Sequence, residues 1–540
     1  MKNEKAVLRF FEVLPGLTTW IIIAMPFFIG FYFPKYLACF MIAFDFYWLL
    51  KAIFMGGYLI SGYLHMRRDR KIDWLKRCKR LDDIDQYILE KTKEMIRSGW
   101  WERRKKREEL SQLINLRDKK PDYRKSWKDI YNVVLLAHYK DEYNIIKSAV
   151  RSCTESSYPT NKMIIVIALE DREEGNDKFE KFKKIKKEFK NEFFDIFYTL
   201  HKDKEGELKG KSANINWAGK EIKGYIDKKN IHYSNVIVSA FDGDTRVSKE
   251  YFGSLVYKYL VNTNRTKRTY QPIPLFNNNI WEVPFLTRIV ALGSSYWQMI
   301  ESCRPYRLIN FSSQAMSLKT LVDIDFWDET IVSEDSKQFY RAFFHYRGDH
   351  KAIPLFTPVH MDAVSGNTIW QTLKNQYYQK RRWAWGVENF SYAVVESIKH
   401  KEISFWKKFR ILFRLFRGTV EWSTASLLIA FAGWMPFLLN SSFRSSVLAY
   451  NLPIMARNIL TVAWIGIFVS TLISILLLPP RPKKYSRLKY IEMILQWIFI
   501  PVTAIFYGSV PAIDAQTRMM LGGKFRLGFW VTPKKFVRED

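Results

Sequence analysis

The chain has 540 residues, a formal charge of +31 and an aromatic content of 16%. That length holds one large domain plus a membrane region, or two to three domains. The cationic balance points to phosphorylated ligands, an anionic membrane surface or nucleic acid, but no RNA-recognition signature or zinc-finger spacing supports the last of these. The four cysteines (Cys39, Cys78, Cys153, Cys303) show no CxxC pairing, which argues against a disulfide framework and for a reducing, cytosolic face.

In chain order, residues 15–33 are apolar over a membrane-spanning length. A second run, 36–63, carries Asp45 and Lys51, which are costly in lipid unless they face other helices or the interface. Basic residues flank both ends, so residues 1–64 read as an uncleaved transmembrane hairpin with both ends in the cytosol. Residues 65–130 read as a charged, helical, cytosolic connector in which the Trp100-Trp101 pair is expected to pack.

From Tyr131 short apolar runs alternate with helical segments. Strands are expected at 133–137, 163–169, 193–199 and 236–240, which predicts a mostly parallel sheet in an α/β domain over 131–400. In such sheets ligands bind at the carboxyl ends of the strands, where Glu170-Asp171 and Asp242-Gly243-Asp244 fall. Residues 402–417 put Phe405, Phe409, Leu412 and Phe416 on one face and Lys407, Arg410, Arg414 and Arg417 on another. This predicts an amphipathic helix lying in the membrane interface over 401–420. Spans are expected at 423–439 and 454–478, the first loop external and the basic stretch after them cytosolic. Residues 491–513 contain Pro501 and Pro511 and read as broken, re-entrant or interfacial. The membrane region is thus 421–514, followed by a cytosolic tail, 515–540.

Three motifs carry chemistry. Asp242 and Asp244, one residue apart, can share Mg²⁺ or Mn²⁺ with a nucleotide diphosphate. In Ser333-Glu334-Asp335, Asp335 could be the base for a sugar hydroxyl, although by itself the motif is explained as well by an ordinary helix N-cap at Ser333. In Gln379-Lys380-Arg381-Arg382-Trp383, arginine can neutralise a departing diphosphate. Trp383 offers a flat face for a sugar ring, and Gln379 can both donate and accept. A solvated basic helix face is the alternative, against which the neighbouring Tyr377, Tyr378 and Trp385 speak.

In this order the motifs resemble glycosyltransferase family 2, and more narrowly its membrane-integrated processive branch of cellulose and hyaluronan synthases, over residues 131–385 and, more loosely, the flanking spans. The resemblance implies a cytosolic, Rossmann-like GT-A type domain inserted between transmembrane helices of the cell membrane. It also implies inverting transfer from a UDP-linked sugar to a growing polysaccharide, coupled to export. Asp242 and Asp244 then bind the metal, Asp335 is the base, and Gln379, Arg382 and Trp383 lie near the acceptor end and the diphosphate. Lys211, Asn214 and Asn216 are similar to the family's Lys-x-x-Asn-x-Asn segment. Ala137, Tyr139 and Glu142 stand where the first strand meets the nucleotide, and Asp171 where an aspartate holds the base. Phe529 to Lys534 matches a gating loop that closes over the donor, which places Lys534 at the nucleotide-sugar. The expected partners are a nucleotide-sugar, a glycan or lipid-linked acceptor and the bilayer, with no nucleic acid.

The chain departs from the pattern at Ser333, where threonine is usual, and at Phe311-Ser312-Ser313-Gln314, where related synthases have a glycine-containing acceptor loop. It has fewer spans and no cyclic-di-GMP-binding module. Two other readings stay open: a single sugar addition to a lipid or lipid-linked acceptor, and a non-catalytic membrane scaffold with a transferase-like domain.

Overall fold

The computed structural model describes residues 2–118, 126–528 and 530. The chain forms two compact units, one of residues 64–275 and 304–361, the other of residues 1–63, 276–303 and 362–540.

The first unit is built on an eight-stranded sheet of order β3-β2-β1-β4-β7-β6-β8-β5. The strands are β1 (Tyr131–Ala137), β2 (Met163–Glu170), β3 (Asp195–His201), β4 (Val236–Asp242), β5 (Arg246–Val247), β6 (Arg268–Phe276), β7 (Ala315–Ser317) and β8 (Lys351–Met361). β1 to β4 pair in parallel; β7 pairs antiparallel with both β4 and β6, and β5 with β8. Alternation explains the continuous apolar runs. Val134, Leu136, Ile165 and Ile167 enter one hydrophobic cluster, and Val133, Leu135, Ile164 and Val166 enter the other. Side chains of a strand alternate faces, so a strand covered on both sides reads as unbroken hydrophobicity. The third strand starts two residues later than expected. Phe189 and Phe193 are buried before it in a turn that holds Asn191 at φ 71°, so their hydrophobicity belongs to the turn.

The charged segment 65–118 packs into this core. Trp74, Cys78, Tyr87 and Leu113 share the cluster of Val134 and Ile165. Trp74 donates its indole N–H to the Asp69 carbonyl at 2.8 Å, and Arg77 pairs with Glu109 at 2.8 Å. Trp100 is exposed.

In the described residues four helices are long and apolar enough to cross a membrane: Glu4–Tyr32, Pro34–Asp69, Phe405–Leu439 and Lys489–Leu521. The run expected at 454–478 lies in the helix Val447–Leu476, which contains the shorter apolar stretch Ile465–Leu476. The separate interfacial helix expected at 401–420 is corrected by the structure. Phe405–Phe431 is one continuous helix. No proline falls within it, Gly418 alone among its residues favours a break, and Arg417 pairs with Glu421 at 2.7 Å across the expected boundary. The exposed aromatic stripe runs through Phe405, Phe409 and Phe413, whereas Phe416 packs on Phe390.

Lys489–Leu521 is helical but broken by a 3-10 turn at Gln496–Phe499 and a π-helical turn at Ile505–Ser509. Pro501 and Pro511 stand in the first turn of Ile500–Ala504 and Val510–Leu521, where a missing N–H forfeits no helical bond. Its polar anchors are local. Ser426 donates to the Ala504 carbonyl at 3.2 Å, Ser509 to Trp422 at 3.2 Å, Gln516 to Thr419 at 3.1 Å, and Thr19 to Gln516 at 2.7 Å. Arg9 donates to the carbonyls of Met519 (2.8 Å) and Met520, and Glu12 pairs with Arg526 at 2.6 Å. At the other end of the first helix, Asn440 donates to the Phe31 carbonyl at 2.9 Å. The beginning of the first helix and residues 519–526 therefore lie at the same end of this unit.

Candidate active site

In the α/β unit the carboxylates meet at the carboxyl ends of the parallel strands. Asp242 is the last residue of β4 and lies opposite Ala137, the last of β1. Asp244 is buried two residues on. The glycine between them is required by space: a Cβ at Gly243 would stand 2.9 Å from an Asp141 carboxylate oxygen and 3.2 Å from the Ala137 carbonyl.

Lys211 opens the helix Lys211–Lys228 and sends a buried ammonium into the cluster. Its Nζ lies 2.9 Å from Asp242 Oδ1, 3.2 Å from Glu334 Oε1 and 3.8 Å from Asp335 Oδ2. Burial opposes its charge, but the Asp242, Asp335 and Glu334 carboxylates outweigh that and hold Lys211 well above the ordinary lysine value. Glu334 and Asp335 form the first turn of the helix Glu334–His345, where the backbone dipole favours negative charge. Ser333 occupies the N-cap position, yet its side chain makes no capping bond.

The segment Asn310 to Gln314 closes the cluster. Ser312 donates its hydroxyl to Asp242 Oδ2 at 2.8 Å. Gln314 Nε2 lies 3.4 Å from Asp335 Oδ1 and 3.5 Å from the Asp335 carbonyl. Ser313 has φ 65°, the left-handed region that glycine favours, so the segment holds a glycine-like bend without glycine. Glu334, Ser312 and Gln314 were not among the residues expected in the site. Glu334 carried a local signal as part of the motif, and Ser312 and Gln314 only as part of the segment that stands where related synthases have an acceptor loop.

The residues expected around the nucleotide divide. Ala137 and Lys211 adjoin the carboxylates. Tyr139 lies under the Arg172 guanidinium, 4.1 Å from its ring centre, and Arg172 is paired with buried Glu170. Burial pushes the Glu170 carboxyl up against the opposing pull of Arg172. Asp171 is exposed at the end of β2, and Glu142 is exposed at the start of the helix Tyr143–Thr154. Asn214 instead donates to the Ala168 carbonyl at 2.9 Å, and Asn216 to Trp327, so both amides brace the Lys211 helix. Within the segment expected where the first strand meets the nucleotide, buried His138 lies 3.3 Å from Asp141 and 3.4 Å from Glu173.

Gln379, Arg382 and Trp383 belong to the other unit, on the helix Ile369–Ala384, where spacings of three and four residues put them on one face. Trp383 lies against Phe276, ring centres 5.7 Å apart, and the Lys380 Nζ sits 4.7 Å from its ring centre. Lys380 donates to Ser294 at 3.1 Å, and burial pulls its amine down to about 8. Tyr377 and Arg381 both reach Asp514 at 2.9 Å, and Trp530 meets Tyr378. Lys534 lies outside the described residues.

For a divalent cation, Asp242 and Asp244 supply hard carboxylate oxygens, a donor type that fits Mg²⁺ or Mn²⁺. In the described residues His201, Asp203 and Glu207 also have metal-like spacing. There His201 Nε2 faces Glu207 at 3.0 Å and Lys209 pairs with Asp203 at 2.7 Å.

No family model matches the chain, and no curated protein does. Solved structures do. A mannosyltransferase from Pyrobaculum calidifontis, in complex with GDP-Man and Mn²⁺, is 12% identical at a TM-score of 0.39, over 78% of this chain and 99% of that one. TarS residues 1–349 of S. aureus, in complex with UDP-GlcNAc, is 14% identical at 0.29, over 62% and 91%. GalNAc-T7 with UDP, GalNAc and Mn²⁺ is 10% identical at 0.32, over 53% and 57%. The expected α/β class, a largely parallel sheet domain in a chain that also has helices of membrane-spanning length, stands.

Proposed function

We propose that this chain is a membrane-bound, metal-dependent, inverting glycosyltransferase that passes a sugar from a UDP-linked donor to a growing polysaccharide at the cytosolic membrane face. The observation that carries the reading is the convergence of Lys211, Asp242, Glu334 and Asp335 at the strand ends. Asp335 takes the proton of an acceptor hydroxyl, whose oxygen attacks the anomeric carbon opposite the leaving group. The bond from that carbon to the diphosphate oxygen breaks, and its electron pair leaves with the diphosphate. Lys211 supplies positive charge beside Asp335, Asp242 and the donor. Asp242 and Asp244 would hold Mg²⁺ or Mn²⁺, which neutralises the diphosphate. By the resemblance, Ala137, Tyr139, Glu142, Asp171, Asn214 and Lys534 serve the nucleotide-sugar, Arg382 the diphosphate, and Gln379 and Trp383 the acceptor.

The cytosolic assignment rests on charge. Arg9, Arg518, Lys524 and Arg526 gather at the end of the helical unit where its first helix begins, and loops rich in Lys and Arg stay inside.

The test is purified protein in lipid, given a panel of nucleotide-sugars with Mg²⁺ or Mn²⁺, with nucleotide release and product size measured. A polymer supports the reading. A single addition moves it to a lipid or lipid-linked acceptor, and no turnover with any donor leaves the scaffold reading. Asp335→Asn is expected to lower turnover by about 100-fold or more while nucleotide binding persists. Wild-type turnover in that variant would sink the base assignment.

A further inference from the structure

The segment between β6 and β7 contacts both candidate chemical groups from one short stretch, and the Gln271, Asn310 and Gln314 side chains that hold it are buried. Gln271 is fully buried. Its Nε2 donates to the Ser312 carbonyl at 3.0 Å, and its Oε1 accepts from the Phe311 N–H at 2.7 Å. The Gln314 carbonyl accepts from the Ala240 N–H at 3.0 Å, two residues before Asp242 on β4. Asn310 Nδ2 donates to Gln314 Oε1, which leaves the Gln314 amide N–H group turned to Asp335. Asn310, Ser313 and Gln314 are all buried, and Ser313 is held at positive φ. A non-glycine residue keeps that conformation only where its surroundings over-determine it, a condition found at sites where geometry matters.

We propose that Gln314 is a positioning residue for Asp335, and Ser312 one for Asp242; the proposal rests on the sugar-transfer reading of this site. Lys211 approaches Asp335 at Oδ2 and Asp242 at Oδ1, whereas Gln314 and Ser312 approach the other oxygen of each. Donors on both oxygens resist rotation of the carboxylate. For Asp335 this sets the direction of the base; for Asp242 it sets the direction of the carboxylate that would face a cation. An aspartate held by Lys211 alone could turn about its side-chain bonds without losing the ion pair. The two contacts therefore serve separate steps, Gln314 the chemical step and Ser312 the binding of metal and nucleotide.

That separation is measurable. Gln314→Leu is expected to lower kcat about tenfold or more, the scale seen when an orienting partner is removed, with donor KM within about twofold. Gln314→Glu, which keeps the shape but offers no donor, should lose at least as much and serves if the leucine variant does not fold. Ser312→Ala should weaken binding of Mn²⁺ with UDP several-fold, followed by the spectroscopic signal of free Mn²⁺ without turnover, and Ser312→Thr should restore it. A folded Gln314→Leu enzyme with wild-type kcat overturns the role of Gln314. Equal Mn²⁺–UDP binding in wild type and Ser312→Ala overturns that of Ser312. If Asp335→Asn is inactive while both variants behave as wild type, the positioning proposal fails alone. If Asp335→Asn turns over normally, the reading of the site fails with it.

Discussion

Lys211 ties the candidate site into the stability of the fold. Its ammonium is the charge partner of three carboxylates, two of which, Asp242 and Asp335, are only partly covered. Removing one partner of a buried ion pair leaves uncompensated charge and costs about 3 kcal/mol or more. Lys211→Met should therefore lower the unfolding free energy by that order, and added Mn²⁺ should raise the variant's midpoint more than the wild type's. His350 provides a pH handle. Burial pulls its imidazole down to about 3. Its Nδ1 faces the Lys267 carbonyl at 2.9 Å, and its Nε2 faces the Thr269 hydroxyl at 3.1 Å. The folded value lies below the unfolded one near 6.5, so the unfolded chain takes up the proton first. Stability is complete above pH 6.5 and falls as the pH drops from there toward 3, by about 2 kcal/mol at pH 5. His350→Asn should flatten that part of a stability–pH curve; an unchanged slope would mean the ring is not held neutral. At this scale the sequence revealed Asp242, Asp244 and Asp335 because strand-end acids and an acidic motif are local patterns. Ser312 and Gln314 were invisible as partners. Their place depends on β7 pairing with β4, a register between segments some 75 residues apart that no window of sequence contains.

At the scale of elements, the helix Lys211–Lys228 is set by a close contact. Gly219 faces Phe326 so tightly that a Cβ would lie 2.6 Å from its ring, with Trp327 at 3.2 Å. Phe326 is itself held at φ 53° and has little freedom to retreat. Gly219→Val should cost about 1–3 kcal/mol by overpacking. Because the same helix carries Lys211, the variant should also lose turnover at temperatures where it remains folded; unchanged melting and activity would show that the helix can slide. The strands were legible because both faces of the parallel half are buried. The helix Phe405–Phe431 was divided wrongly because a change from basic-amphipathic to apolar composition looks like a boundary. Composition reports surroundings, whereas continuity of a helix depends on the backbone, and no residue there breaks it.

At the scale of the whole chain, the broken helix Lys489–Leu521 decides how the membrane region is read. Its contacts with the first and third long helices fall at Arg9, Thr19, Thr419, Trp422 and Ser426, while Phe31 and Asn440 pair at the opposite end. We expect residues 504–521 to stay near the side where the first helix begins, so that the tail is cytosolic. In sealed inside-out vesicles, single cysteines placed at Lys5 and Lys524 in a cysteine-free background should react with an impermeant maleimide, and one at Ser442 should not. Labelling of Lys524 and Ser442 on the same side would reverse this topology. Charge asymmetry suggested the arrangement from sequence, but the carbonyl contacts that fix the tail's exit belong to folded backbone and leave no composition to read.

Those contacts matter to anyone handling the protein. Arg9 caps the end of the Val510–Leu521 helix, and Glu12 grips Arg526, so residues 9–12 and 519–526 behave as one joint. An affinity tag or a trimmed leader at the front is also an alteration of the rear. Preparations that differ only in their first dozen residues should therefore be compared for thermal stability before they are treated as the same protein.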